Sequence, residues 1–455
     1  VHRGTERQGL LSILGVADDV RVSGAAGLDG ALPVSTLATT AMSVLASAIE
    51  ALLHSAGLAG GAEARVDRAH VDAWLGRHIR PAHGSFPSPW DPFSGAFATA
   101  DGSWIRTHAN APHHRAALLA ALALPEAQTV EELAAAIAGR GADELESAIV
   151  GAGGAAAALR TRAEWTRSAP GSAVAAEPLI ARTDTAPARP GSTWLPEPAR
   201  PLAGLRVLDL TRVIAGPAAT QVLAGLGADV LRIDPDTWDE PAVLPYVMAG
   251  KRSARLDATS PDGRRRLADL LAAADVLVHG YRAGALDHLG LDERERQRLR
   301  PGLVEVGVRA YGWSGPWSGR RGFDSLVQFS TGIADIGMRQ ADAAAPVSLP
   351  VQALDWTTGY LAAAAAVAGL ARLRITGRGS TWRLSLARTA HALTTLAARA
   401  PASASDSDPA FGAGQRIETP DGALLLEPPP FRVGEAILRF DRVATRLGGD
   451  APAWL

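Results

Sequence analysis

The chain has 455 residues, with 45 lysines and arginines against 47 aspartates and glutamates, 47% hydrophobic residues and no cysteine. A formal charge of -2 offers no polybasic field, which excludes a nucleic-acid partner of the usual kind. Without cysteine there are no thiolate nucleophiles, disulfides or thiolate metal sites, and the composition fits a cytoplasmic protein. Aromatic residues are only 5% and much of the apolar content is alanine, so helices are expected to pack closely through small side chains.

The opening stretch, VHRGTERQGLLSILG, lacks the apolar core of a signal peptide. From Leu32, LPVSTLATTAMSVLASAIEALL reads as an apolar helix, and from Glu63, EARVDRAHVDAWL reads as a strand leading into a helix. RTHANAPHHR then gathers His108, His113 and His114. No H-E-x-x-H or paired-carboxylate spacing accompanies them, so they are read as polar residues around a helix start at Pro112, and no metal is expected. A helical stretch interrupted by glycines runs from Pro112 to Arg160. Ala188 to Gly204, ARPGSTWLPEPARPLAG, reads as an extended Pro-rich linker.

Beyond the linker the pattern changes. An apolar strand at Leu205–Leu210 leads into Arg212 and Val213, a Gly216-Pro217 turn opens a short helix, and a second strand ends at Asp234. Further strands are predicted at Asp275–Val278 and Leu303–Val308, with helices at Asp262–Ala274 and Glu293–Arg300 between them. Alternation at this spacing predicts an α/β fold with a doubly wound, parallel, Rossmann-like sheet, accompanied by a smaller, largely helical α+β domain. The run Tyr360–Ala371 is too short to span a bilayer and is read as a buried helix, so no membrane partner is expected. PASASDSDP, Pro401 to Pro409, reads as a surface loop.

The two ends of the chain match each other. LPVSTLATTAMSVLASAIEALL from Leu32 aligns without a gap with LPVQALDWTTGYLAAAAAVAGLA from Leu349, at an offset of 317 residues. The strand-then-helix pattern from Glu63 matches STWRLSLARTAHAL from Ser380. Asp91-Pro92 pairs with Asp408-Pro409, and Asp101-Gly102 with Asp421-Gly422. Four features in one order suggest a duplicated unit. The second copy carries Asp355 where the first carries Ala38.

Asp355 is the sharpest chemical candidate. From the residues alone it has two readings: an N-cap of the long helix it opens, or a carboxylate nucleophile kept ionised by the positive end of the helix dipole. Asp324, in RRGFDSLVQFSTGI, is read as a helix cap.

The run LRVLDLTRVIAGPAATQVLAGLGADVLRID, Leu205 to Asp234, closely resembles the opening of family III CoA-transferases. Gly250-Lys251-Arg252-Ser253 is similar to that family's G-K-R-S turn, Tyr281-Arg282-Ala283-Gly284 to its F/Y-R-P-G motif, and Thr376-Gly377-Arg378-Gly379-Ser380 to its T-G-R-G-Q turn. The resemblance implies that Asp355 is the catalytic aspartate. It also implies that Arg212, Arg232, Lys251, Arg252 and Arg282 hold coenzyme A, here a substrate and not a resident cofactor. The racemase branch of the family has a histidine at the position of Phe323, and phenylalanine takes no proton, which argues against α-proton racemisation. Leu354 stands where the family has Gly or Ala, and the family's small domain lies here before the sheet domain.

The implied organisation is a degenerate helix-strand-helix copy at 1–95, a small domain at 96–187 and the linker at 188–204. A CoA-binding sheet domain with the catalytic helix follows at 205–400, then a C-terminal extension at 401–455. The implied reaction moves CoA between an acyl-CoA thioester and an acceptor carboxylic acid through an aspartyl-acyl anhydride, in a homodimer. A catalytically inactive CoA-binding scaffold and an acyl-CoA racemase or lyase are the alternatives.

Overall fold

The structure is a computed structural model that describes residues 11–14, 19–58, 63–124, 129–188, 194–396, 414–419, 422–442 and 446–455. The surface loop expected at Pro401–Pro409, and Asp408-Pro409 and Asp421 of the proposed repeat, lie outside these residues. The elements that position the site are labelled in chain order: helix α1 (Val34–His54), strand β1 (Ala181–Pro187), β2 (Arg206–Leu210), helix α2 (Ala215–Gly225), β3 (Asp229–Asp234), β4 (Arg252–Arg255), β5 (Val276–His279), β6 (Val304–Arg309), helix α3 (Asp324–Ser330), helix α4 (Ala353–Thr376) and β7 (Arg378–Ser385).

A seven-stranded sheet runs in the order β4-β3-β2-β5-β6-β7-β1. Its first six strands are mutually parallel and β1 is antiparallel to β7. The mixed α/β architecture expected from the sequence is therefore present, with strand boundaries that agree within a residue or two. The direction of winding reverses between β2 and β5. A crevice opens at such a switch point, because the loops leaving the two strands diverge to opposite faces.

The N-terminal half does not stand apart from this sheet. β1 precedes the Pro-rich segment and forms the sheet's antiparallel edge, so the chain has already joined the sheet before the stretch read as a linker. Within that stretch, Trp194 Nε1 donates to the Ala203 carbonyl at 2.7 Å, tying its described part back on itself.

Residues 96–158 supply a three-stranded antiparallel sheet, Ala96–Ala98, Trp104–Thr107 and Ala156–Ala158. Helices Pro112–Ala121, Val130–Ala138 and Ala142–Gly151 pack on it around Phe93, Ile105, Leu118, Leu133 and Ile149. Glu146 ties this unit to the main sheet domain by accepting from Arg160 at 2.6 Å and from Arg320 at 2.8 Å.

α4 is apolar on every side and is buried from Ala353 to Ala371, as a helix without a polar face must be. Its most extensive contacts are with α1, then with α2 and with the sheet beneath. α1 is long and apolar enough to cross a membrane by length and composition, and most of it is buried in this core. The two matched segments also continue alike. After α1 a strand at Ala64–Asp67 ends in Asp67, whose side chain caps Arg68–Ala73. After α4, β7 ends in Ser385, whose side chain caps Leu386–Thr395.

Gly359 marks where α4 meets α2. A Cβ built there lies 2.5 Å from the Ala215 carbonyl oxygen, a backbone atom that cannot swing aside. Gly359→Ala is expected to destabilise the fold by about 1–3 kcal/mol, the usual range for overpacking. Urea unfolding of the variant against the parent checks this.

Candidate active site

Asp355 stands in the first turn of α4, and its backbone shows why the turn forms there. The helix has no side-chain cap of its own at Gln352. Instead the Asp324 carboxylate, at the start of α3, accepts from the Leu354 N–H at 2.8 Å and the Asp355 N–H at 3.0 Å. Asp324 is therefore a cap, as expected, but for α4 rather than for its own helix, with the helix Ile333–Gln340 between them in the chain. Gln328, one turn along α3, also donates to Asp324, and its Oε1 accepts from the Leu349 N–H at 2.8 Å. With the orphan amides satisfied from outside, the Asp355 side chain is not needed as a cap. It accepts no hydrogen bond from a described residue and lines two adjoining cavities.

The first cavity, about 290 Å³, is walled largely by Trp90, Ile214, Tyr246, Phe323 and Trp356 and also reaches His108, Arg77 and Asp324. The second is a groove of about 410 Å³ along the carboxyl ends of β2, β5 and β6, at the switch point. It is cationic. Arg212, Arg282, Arg309, Arg320 and Arg321 line it, together with His113 and His114. Arg212 lies over the Trp238 ring, 4.7 Å from its centroid, with Nε 3.4 Å from Asp234. Arg309 lies over Trp313 at 3.9 Å.

Of the cations expected to hold CoA, Arg212 and Arg282 line this groove and the other three do not. Arg232 is fully buried between Asp234 and Glu240, at 2.8 and 2.5 Å. Lys251 is equally buried and donates to Asp209 at 3.0 Å and to the Pro217 carbonyl at 2.7 Å; burial brings its ammonium down to about 8. Arg252 pairs with Asp229 and Asp450 and donates to the Ala453 carbonyl. These three are committed to internal carboxylates and carbonyls and have no face toward a ligand, which corrects the role the resemblance assigned them.

The sequence reading passed over Arg309, Arg320 and Arg321, and it treated the histidines as ordinary helix-start residues. The helix does begin at Pro112, yet His113 and His114 face the groove and His108 faces the smaller cavity. His108 stacks flat on Phe323, with centroids 3.7 Å apart and planes 4° from parallel. Burial holds both His108 and His114 down to about 3, so both are neutral at ordinary pH. Their clustering in RTHANAPHHR was the available signal.

Val213 joins the two cavities and is strained. Its φ is +68°, a left-handed conformation that a β-branched residue rarely adopts. The Glu240 carboxylate holds it there, accepting from the Val213 N–H at 2.9 Å and from Trp238 Nε1 at 3.1 Å. Backbone strain maintained in this way is characteristic of functional turns.

The expectation that the helix dipole keeps Asp355 ionised is overturned. Burial is the larger influence and raises its pKa well above the ordinary carboxylate value, and the neighbouring Asp324 raises it further. Asp324 is itself pushed up to about 6, mainly by burial. A helix terminus offers about 0.3–1 kcal/mol to a charge, whereas full burial moves a pKa by up to several units.

Over residues 202–421 the chain matches the model of CoA-transferase family III. It is 34% identical over 194 residues to succinyl-CoA:glutarate CoA-transferase of Mus musculus, covering 40% of this chain and 44% of that protein. It is 29% identical over 260 residues to succinate–glutarate CoA-transferase of Agrobacterium fabrum, covering 51% of this chain and 64% of that one. The chain thus spans less than half the length of the mouse relative. Among solved structures, Rv3272 from M. tuberculosis shares 30% identity over 44% of this chain and 58% of its own, with a TM-score of 0.40.

Both raised carboxyls bind a proton more tightly in the folded than in the unfolded chain. Stability therefore falls as pH rises from the ordinary carboxylate range through the raised values, and the penalty persists above them. Asp355→Asn removes one such charge. Its stability relative to the parent is expected to be least favourable near pH 4 and to improve toward pH 8. Denaturant titrations at the two pH values check the sign.

Proposed function

We propose that this protein transfers CoA between an acyl-CoA thioester and an acceptor carboxylate, with Asp355 as the nucleophile. The observation that carries the reading is the position of Asp355, without a hydrogen-bond partner for its side chain among the described residues, at the junction of an arginine-lined groove and an apolar cavity. The groove suits the phosphates of CoA, because guanidinium groups on loops at a sheet's switch point bind such anions with charge-assisted hydrogen bonds. The cavity suits the acyl group. The names of the mouse and Agrobacterium relatives support the same reaction class.

In this reading an Asp355 carboxylate oxygen attacks the thioester carbonyl carbon. The carbonyl π pair moves onto oxygen, the tetrahedral centre collapses, and the C–S bond breaks to release CoA thiolate. An aspartyl-acyl anhydride remains. CoA thiolate then attacks the aspartyl carbonyl of the anhydride, giving an aspartyl-CoA thioester and the free acyl carboxylate. The acceptor carboxylate attacks that thioester in turn, expelling CoA thiolate and leaving a second aspartyl anhydride; the thiolate then attacks the acceptor's carbonyl carbon, the C–O bond to Asp355 breaks, and the new acyl-CoA and the free Asp355 carboxylate are released. Burial makes the Asp355 anion more basic than a solvated carboxylate and therefore a stronger nucleophile once its proton is lost. Both walls of the cavity come from one chain: Leu75–Arg77, Trp90 and His108 on one side, Val213, Phe323 and Trp356 on the other.

His108 returns an imidazole to the cavity beside Phe323, the feature that most favours the racemase alternative. A ring held near 3 is a poor base, which keeps transfer as the better reading.

Hydroxylamine trapping after incubation with acyl-CoAs is expected to place a hydroxamate on Asp355 by peptide mass spectrometry. Asp355→Asn is expected to lose transfer by several orders of magnitude while still showing a thermal shift with CoA. A hydroxamate on another carboxylate of active protein contradicts the assignment. The pH profile supplies a separate check. kcat/KM rises with pH as Asp355 loses its proton, and Asp324→Asn, which removes the adjacent negative charge, is expected to move that rise to lower pH.

A further inference from the structure

We propose that Glu240 is a positioning residue for the transfer step: it holds the turn Arg212–Ile214 in a strained conformation that sets a bound thioester against Asp355. The proposal rests on the transfer reading above and names the group that fixes its geometry.

The turn forms the neck of the site. Four of the described residues line both cavities: Val213, Ile214, Phe323 and Asp355. A thioester with its CoA part in the groove and its acyl part in the cavity has its carbonyl carbon at this neck. Where Val213 and Ile214 stand therefore governs how closely that carbon approaches an Asp355 oxygen.

The backbone is pinned at both ends of the turn. Upstream, the Thr211 N–H donates to the Asp209 carboxylate at 3.0 Å, and Asp209 also accepts from the buried Lys251 at 3.0 Å. A Cβ built on Gly216 lies 2.4 Å from the Thr211 side chain, so the end of β2 touches the first turn of α2. Downstream, the Ala215 carbonyl is packed against Gly359, one turn beyond Asp355 on α4. Arg212, Val213 and Ile214 have to close the gap, and Val213 does so at a φ of +68°. Glycine adopts such a φ without penalty, whereas a branched side chain resists it. A valine here needs a restraint from outside.

Glu240 is that restraint. One of its carboxylate oxygens accepts from the Val213 N–H at 2.9 Å and from Trp238 Nε1 at 3.1 Å, and the other accepts from Arg232 at 2.5 Å. Trp238 in turn carries Arg212 on its ring. Arg232, which does not reach the groove, thus acts on the site at one remove, by aiming Glu240. Released from this clamp, Val213 returns to a negative φ and the neck changes shape. A displacement of about 1 Å at a reacting centre can lower a rate about 100-fold.

The test follows exchange of an isotopically labelled carboxylate into its own CoA thioester by the full-length protein. Acetate, butyrate and succinate are compared, and the pair that the parent exchanges fastest is used for the variants, with thermal melting to confirm that each is folded. Glu240→Gln is nearly isosteric, but its single amide oxygen cannot serve Arg232 on one side and Val213 and Trp238 on the other. It is expected to lower kcat about 10- to 100-fold while KM for the thioester stays within about threefold. Glu240→Ala is expected to fall at least as far. Val213→Gly added to Glu240→Gln is expected to recover most of the lost kcat, because glycine holds a positive φ unaided. An undiminished kcat in Glu240→Gln overturns the proposal, as does a rise in KM alone, which marks a residue of binding. Failure of Val213→Gly to raise kcat in that background also overturns it, whether or not Glu240→Ala folds. Each of these results leaves the transfer reading intact. A parent that exchanges none of the pairs and places no acyl group on Asp355 overturns the transfer reading and this proposal with it.

Discussion

The site depends on two hydrogen bonds that cross from α3 to α4. Asp324 accepts the first free amides of α4 and so takes over the task that a residue at the start of a buried helix ordinarily performs for itself. Asp355 is released by that substitution. Its carboxyl can face a cavity because another carboxyl is already aimed at the helix end. The cost is electrostatic. Two buried carboxyls at one helix terminus resist simultaneous ionisation, and the proton they retain is a direct consequence of the arrangement that frees one of them.

The cations of the sheet domain divide into two populations by depth. Arg232, Lys251 and Arg252 lie below the surface, each opposite a carboxylate, where an unpaired charge would be strongly destabilising. They hold β3, β4 and the start of α2 in register. Arg212, Arg282, Arg309 and Arg321 lie at the rim of the groove, partly in contact with tryptophan rings and open to an anion. A short stretch of sequence mixes the two kinds freely, since a strand alternates its faces every residue and a single step decides which side of the sheet a charge reaches.

That explains what was legible. The strands around Val207 and Val230 were readable because apolar runs between glycine turns admit few other states, and the place of Asp355 at a helix start was readable because a polar residue opening an otherwise apolar helix stands out. Lys251 and Arg252 were misread because a motif records which residues are present and not which way they point. Arg309 and Arg321 escaped notice because each follows an unremarkable segment and comes to line the groove only when β6 and the loop after it meet β5. His108 was discounted on local spacing, while its significance is set by Phe323, far along the chain, against which its ring lies. The antiparallel edge strand β1 was hidden by the prolines that follow it: they suggested an extended tether where the preceding residues already pair with β7.

The pairing of α1 with α4 has a bearing on how the chain is made. Their separation is roughly 300 residues, so at about 5–20 residues per second α1 leaves the ribosome some 15–60 seconds before its principal partner exists. During that interval a 21-residue helix, apolar enough to cross a membrane, is without the surface that will bury it. The nascent N-terminal half therefore presents the features that chaperones and membrane-insertion machinery recognise, and only completion of the sheet domain withdraws them. The stage at which this apolar helix lacks its principal partner therefore falls within synthesis itself.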